Sequence, residues 1–191
     1  MIIVDKEQFL KQKKQFVQKL LHENFIFVYP TDTIYGIGCN ANDEEAVQRI
    51  RALKEREQNP FSIIAPSKEW IAEHCIVHPN GYPWIKRLPG RYTLLFKIKK
   101  KDFADSINPN SDVIGIRIPD NWFSDLVPEF GVPIVSTSAN LTGKPHMTSL
   151  ENLPDSIKNG VDMIIYEGEK KANPSLIVDL SDPDEVKEIP R

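Results

Sequence analysis

Residues 25–41 read FIFVYPTDTIYGIGCNA. The first five are apolar without interruption, and such a run fits a strand covered on both faces. Pro30 ends it. Thr31, Asp32 and Thr33 come next, then two glycines, Gly36 and Gly38. A buried strand that hands over to hydroxyls, a carboxylate and free backbone amides either makes a turn or holds a small polar ligand. Upstream, residues 5–23 place Phe9, Phe16 and Leu20 at helical spacing, with Leu10, Val17 and Leu21 beside them and lysines outside. Downstream, a second helix is expected over 42–57. Asn42 would cap it, with Glu45 three residues on as in a capping box, and Ala46, Val47, Ile50 and Leu53 would form its buried stripe.

Apolar runs at 61–65, 92–98, 113–118, 132–136, 162–166 and 175–180 read as further strands, and 68–75 and 122–127 as short helices. Helices and strands alternate early, and strands crowd together later. That pattern predicts a mixed α/β sheet rather than a purely parallel one. The fifteen prolines are spread along the connections and no repeat recurs, so residues 1–191 are expected to form one domain.

Composition narrows the function. Charged residues make up 27% of the chain and the net charge is −3, which predicts no general affinity for nucleic acid or anionic membrane. The start, MIIVDKEQFL, has neither a basic segment nor a long apolar one, and no run approaches the roughly 20 apolar residues of a membrane span. Cys39 and Cys75 share no recognisable spacing and are expected as free thiols in a reducing cytoplasm. Histidines 22, 74, 78 and 146 share no ligand spacing, so no protein-held metal is expected. A lysine-bearing phosphate loop and a G-x-G-x-x-G fingerprint are both missing.

Polar groups gather where elements end. Lys54 and Arg56 sit at the expected end of the second helix, where cations either complement the helix dipole or clamp an anion. Arg117 lies inside an apolar strand on the face opposite Ile116 and Ile118, pointing to solvent or into a cleft. In PIVSTSAN, 133–140, an apolar strand runs into Ser136, Thr137, Ser138 and Asn140, either as a cap or turn or as a surface for phosphate, ribose or Mg²⁺-bound water. The lysines of KIKKK, 97–101, suit a solvated hairpin tip or an RNA phosphate contact. Trp70, Trp84 and Trp122 are expected as packing residues.

In order, PTDTIYGIGCNA (30–41), Lys54-x-Arg56, PGRYTLLF (89–96), GIRIP (115–119), STSANLTG (136–143) and NPSLIVDL (173–180) resemble the YrdC-like family, from about Phe25 to Leu180. The resemblance implies a twisted mixed sheet with flanking helices around a concave basic cavity. It implies a threonylcarbamoyl-AMP synthase, a nucleotidyltransferase that converts L-threonine, bicarbonate and ATP, with Mg²⁺ and no organic prosthetic group, into L-threonylcarbamoyl-AMP and pyrophosphate. A separate transferase would pass the threonylcarbamoyl group to the adenosine beside the anticodon of tRNA. Carried over residue by residue, Lys54, Arg56 and Arg117 would meet phosphate charge. Ser138, Asn140 and Ser175 would orient the nucleotide, and Thr31 and Thr33, with Arg56, the amino acid. The family often reads K-G-R-P where this chain has Glu55 and Glu57, and a proline is common where Arg91 stands, a feature of the YciO-like branch. The alternative is therefore a YciO-like or a double-stranded RNA- or tRNA-binding member without synthase activity. The intact S-x-N at Ser138 and Asn140 counts against that branch.

Overall fold

The computed structural model describes residues 1–189. The chain begins with β1 (Ile2–Val4), α1 (Lys6–Lys11), α2 (Lys13–His22), β2 (Phe27–Pro30), β3 (Tyr35–Gly38) and α3 (Glu44–Lys54). Then come β4 (Ser62–Ile64), α4 (Lys68–His74), β5 (Cys75–Ile76), α5 (Tyr82–Lys86), β6 (Tyr92–Ile98) and β7 (Val113–Arg117). It finishes with α6 (Val127–Phe130), β8 (Ile134–Ser138), α7 (Asp155–Gly160), β9 (Met163–Ile165), β10 (Leu176–Asp179) and β11 (Lys187–Ile189). The strands join in the order β1-β9-β2-β3-β8-β4-β7-β6-β10-β11, with β5 added beside β6. Parallel pairs (β1 and β2 with β9, β4 with β7, β6 with β10) are combined with antiparallel ones, three of them in succession from β2 through β3 and β8 to β4, giving the mixed sheet expected from the sequence.

Several expected elements sit differently. The helix expected over 5–23 is two helices. Asp5 caps the first in a reciprocal box with Gln8, and Gln12 breaks the run at φ −110°, ψ 14°. The second expected helix is capped by Asp43, which accepts from the Ala46 amide at 3.0 Å. Asn42 does not cap it: the helix starts one residue later than expected, and Asn42 lies in the preceding turn with its amide bonded to Asn40 Oδ1. The helix ends at Lys54 rather than residue 57, and its buried face carries Arg51 and Lys54 beside Ala46, Val47 and Ile50, with Leu53 only half-buried. The expected helix over 122–127 is a 3₁₀ turn at Ser124–Leu126 that leads into α6. The strand expected at 132–136 occupies Ile134–Ser138, so its hydroxyl residues lie inside the strand and not beyond it. Its partner β3, the glycine-rich YGIG, carries no strand signal of its own, yet it pairs Ile37 with Thr137 and Gly36 with Ser138. Gly38 is required there. A Cβ would lie 2.6 Å from the Val135 carbonyl oxygen.

Aromatic packing holds the α1–α2 side of the sheet. Phe16 meets Phe27 edge-on with centroids 4.9 Å apart, and Tyr29 stacks on Phe123 at 4.8 Å. Trp70 stacks on His74, Trp84 meets Tyr92 and Trp122 meets Phe9, so all three tryptophans pack as expected. In the 97–101 stretch, Lys100 pairs with Asp102 and Lys101 with Asp105. No helix among the described residues is long and apolar enough to cross a membrane.

Cys39 and Cys75 are both buried and unpaired. Burial pushes the Cys75 thiol up to about 12 and holds Cys39 well above the ordinary thiol range. Since the thiolate is the reactive form, both should resist a thiol reagent such as DTNB in the native protein and titrate fully in denaturant. Rapid native labelling of either residue at pH 8 would contradict this packing.

Candidate active site

Side chains two apart on a strand share a face, and one face of this sheet lines a cavity. Thr93 and Leu95 of β6, Val113, Gly115 and Arg117 of β7, and Ser136 and Ser138 of β8 line a cavity of about 470 Å³. Ser62 of β4, Ser175 and Ile177 near β10, and Ile189 of β11 complete that wall, while Thr31, Thr33, Tyr35, Arg56 and Phe61 close the rest. Gly115 keeps the floor open, because a Cβ would sit 2.6 Å from Ser62 Oγ. The lining includes two arginines, many Ser and Thr hydroxyls and no carboxylate among the described residues.

Arg117 is buried and points toward the 31–33 turn. Its Nη2 lies 3.2 Å from Asp32 Oδ1 and 3.4 Å from Thr33 Oγ1. Its Nε, also buried, has no partner. Asp32 Oδ2 accepts the Asp120 amide at 3.0 Å. Burial lowers the Arg117 pKa, and the Asp32 charge opposes that shift. Thr31 and Thr33 differ in their free capacity. Thr31 Oγ1 donates to the Ile34 carbonyl at 2.6 Å and accepts from the amides of Thr33 and Ile34, so the backbone saturates it. The Thr33 hydroxyl, 3.0 Å from Thr31 Oγ1, faces Arg117 and keeps capacity to spare.

The K-x-R pair splits. Arg56 lines the cavity, with Nη1 at 3.5 Å from Thr137 Oγ1 and its other nitrogens on the carbonyls of Asn59 (3.1 Å) and Pro60 (2.7 Å). Burial and then the nearby Arg51 charge lower its pKa. Lys54 is turned away. Its Nζ donates to the carbonyls of Ser138 (2.5 Å) and Asn140 (2.5 Å) and to Asn140 Oδ1 (3.1 Å). Burial, then Arg56, pushes its ammonium down to about 7. Thr142 returns to the Lys54 carbonyl through its amide (3.2 Å) and hydroxyl (2.9 Å), so the 138–142 loop wraps both ends of this residue. Asn140 is absorbed in the same knot. Its Oδ1 accepts from Ser138 Oγ at 2.5 Å and its Nδ2 donates to the Lys144 carbonyl at 2.6 Å. Ser175 lies on the cavity wall and shares a 2.7 Å hydrogen bond with Thr93.

Sequence reasoning missed Tyr35, Ser62 and Thr93 on the lining. Tyr35 donates to the Gly168 carbonyl (2.6 Å), accepts the Glu167 amide (3.0 Å) and stacks on Tyr166, which fixes the 166–168 segment beside the cavity. Tyr35 and Thr93 lie inside two of the quoted motifs, PTDTIYGIGCNA and PGRYTLLF, which was the available signal, whereas Ser62 lies between motifs and had none.

Glu55 and Glu57 are exposed and form no ion pair with Lys54 or Arg56. Glu55 has φ 51°, ψ 46°, a left-handed conformation that favours glycine. Glu55→Gly is expected to stabilise the protein by about 1 kcal/mol. A Tm shift of roughly +2 to +4 °C in calorimetry would bear this out, and an unchanged or lower Tm would count against it.

Comparison with known proteins places this arrangement. The profile of the Sua5_yciO_yrdC family, described as telomere recombination, matches residues 19–191. A protein of Methanocaldococcus jannaschii, provisionally named a threonylcarbamoyl-AMP synthase, is 35% identical over 180 residues, covering 92% of this chain and 84% of that one. The crystal structure of E. coli YciO superposes with a TM-score of 0.84 at 25% identity over 98% of this chain and 93% of that one. P. abyssi Sua5, solved in complex with L-threonine, superposes at 0.81 with 29% identity over 94% of this chain, which spans 54% of the Sua5 length. A profile match over most of the length and a common fold lead to one conclusion: the chain belongs to the Sua5/YciO/YrdC family.

Proposed function

We propose that this protein is a threonylcarbamoyl-AMP synthase. The observation that carries the reading is the cavity chemistry: two arginines and many hydroxyls, with no carboxylate on the lining. Such a lining suits a nucleotide triphosphate and repels nothing anionic. The L-threonine complex of P. abyssi Sua5 supports the amino-acid half.

The reaction joins three reactants. The neutral amine of threonine takes up CO₂ from bicarbonate as a carbamate. A carbamate oxygen attacks the α-phosphorus of ATP, its bond to the bridging oxygen breaks, and pyrophosphate leaves with the electron pair. Placing the reactants together and balancing charge on the phosphate oxygens are the protein's tasks. Arg56, on the cavity wall, meets phosphate charge, and the orphan Nε of Arg117 offers a second donor. Thr33 serves the amino acid rather than Thr31, whose hydroxyl the backbone consumes. Ser138 and Ser175 orient the nucleotide, and Lys54 with Asn140 holds the loop that presents Ser138. Asp32 is committed to Arg117 and the Asp120 amide, so Mg²⁺ would enter with ATP, held by phosphate oxygens and water. The product would pass to a separate transferase acting on tRNA.

Pyrophosphate release with ATP, Mg²⁺ and bicarbonate is expected to require L-threonine and to fall by about 10²–10³-fold in Arg56→Ala. Folded protein that releases none would overturn the reading. The E. coli YciO likeness favours one specific second reading, a YciO-like protein without synthase activity, and that outcome would select it.

A further inference from the structure

Arg51 lies one turn before Lys54, outside every motif that marks the family, and it does not line the cavity. It is 9% exposed and forms no ion pair among the described residues. Its guanidinium is instead surrounded by backbone carbonyls. Nη1 donates to Arg56 (3.0 Å), Glu57 (3.1 Å) and Asn59 (3.2 Å), Nη2 to Ile107 (3.2 Å) and Nε to Ser106 (2.5 Å). One planar fork thus ties the whole 56–59 turn to the 106–107 segment. A lysine head, with three donors at one point, cannot reach both sides.

The same turn carries Arg56, and the two arginines share its fixtures. Both bond the Asn59 carbonyl, Arg51 at 3.2 Å and Arg56 at 3.1 Å. Both lie over the Phe61 ring, at 4.5 and 5.2 Å from its centroid. The Arg56 amide in turn bonds the Arg51 carbonyl at 3.0 Å. Glu55, in its left-handed conformation, starts this turn without a glycine to ease it. The loop's shape therefore depends on the side chain that fills it.

We propose that Arg51 is a positioning residue of the anion site: it moulds the 56–59 turn from inside so that the Arg56 guanidinium faces the cavity. The inference rests on the assignment of Arg56 to phosphate charge. It adds a residue that never touches the ligand and controls the one that does.

The test is a binding cycle with Mg·ATP as probe, by calorimetry well below the melting range. Arg51→Lys should raise the Kd by about tenfold or more. In an Arg56→Ala background it should change the Kd by less than about twofold, because nothing is left to position. A merely structural role would lower Tm but weaken binding equally in both backgrounds, and that result, or an unchanged Kd, overturns the proposal. Arg51→Gln serves if the lysine variant does not fold. Wild type that binds no nucleotide would sink the proposed function alone. Hydrogen exchange then decides the positioning role. Amides of 56–61 should lose about tenfold protection in the variant while α3 keeps its own, and unchanged loop protection refutes it.

Discussion

Asp32→Ala should lose about 3–5 kcal/mol of stability in urea unfolding, the largest effect of any single polar substitution around the cavity. Asp32 and Arg117 are only 5% and 9% exposed at their side chains, and they face each other at 3.2 Å. Taking two charges out of water is expensive, and their attraction offsets that cost only while both are present. Removing the carboxylate leaves a buried guanidinium whose Nε already has no partner. It also strips the Asp120 amide of its acceptor. Asp32→Asn should lose less, because an amide oxygen keeps one of those bonds but not the charge.

A double-mutant cycle separates the pair from its surroundings. Asp32→Ala with Arg117→Met should be more stable than Asp32→Ala alone, since the orphaned charge is gone. Simple additivity would show that the pair is not coupled. An anion should also rescue the single variant. Pyrophosphate should raise the Tm of Asp32→Ala more than that of wild type, because Arg117 then has no internal counter-ion and binds the added anion more tightly. Equal shifts would mean that Arg117 does not face the ligand space.

The sequence conveyed the sheet better than the site, and single residues show why. YTLLFKI, 92–98, follows Gly90 as a long apolar run, and β6 occupies Tyr92–Ile98 as expected. YGIG is four residues long and half glycine, which weakens a strand signal, so β3 shows itself only through its antiparallel partners β2 and β8. At the site, spacing placed Lys54 and Arg56 two residues apart as a single clamp. The helix ends at Lys54, and Glu55 turns left-handed between them, so the cations diverge, one under the 138–142 loop and one onto the cavity wall. A glutamate at that conformation leaves no trace in a propensity reading, whereas a glycine would have. Arg117 posed the opposite problem. Alternation gave its face correctly, but its counter-ion Asp32 lies 85 residues away in sequence, and only the fold joins them.

On the proposed function, Lys54→Met should abolish most threonine-dependent pyrophosphate release, by about 10²-fold or more, although Lys54 does not itself line the cavity and reaches it only through the Ser138 carbonyl. Methionine keeps the buried stem and removes the three donors that hold Ser138 and Asn140. The loop can then drift, and Ser138 with it. The loss should appear mainly in kcat if the loop aligns reactants, and a purely raised KM would show that it only binds them. Stability carries a second signature. Burial first, and the Arg56 charge second, lowers the Lys54 pKa to about 7 in the folded state, from 10.5 when exposed. Between those values the unfolded chain holds a proton that the folded one has released. Unfolding then takes up a proton, so native stability must rise with pH through that window. Below about pH 7 both states are protonated and this dependence vanishes. Lys54→Met removes the titrating group, so its advantage or deficit relative to wild type should shift toward wild type as pH climbs from 7 to 10, measured by urea midpoints at matched ionic strength. Parallel pH curves for the two proteins would mean that the three oxygens hold the ammonium charged throughout, and the loop would then be locked across the whole of that pH range.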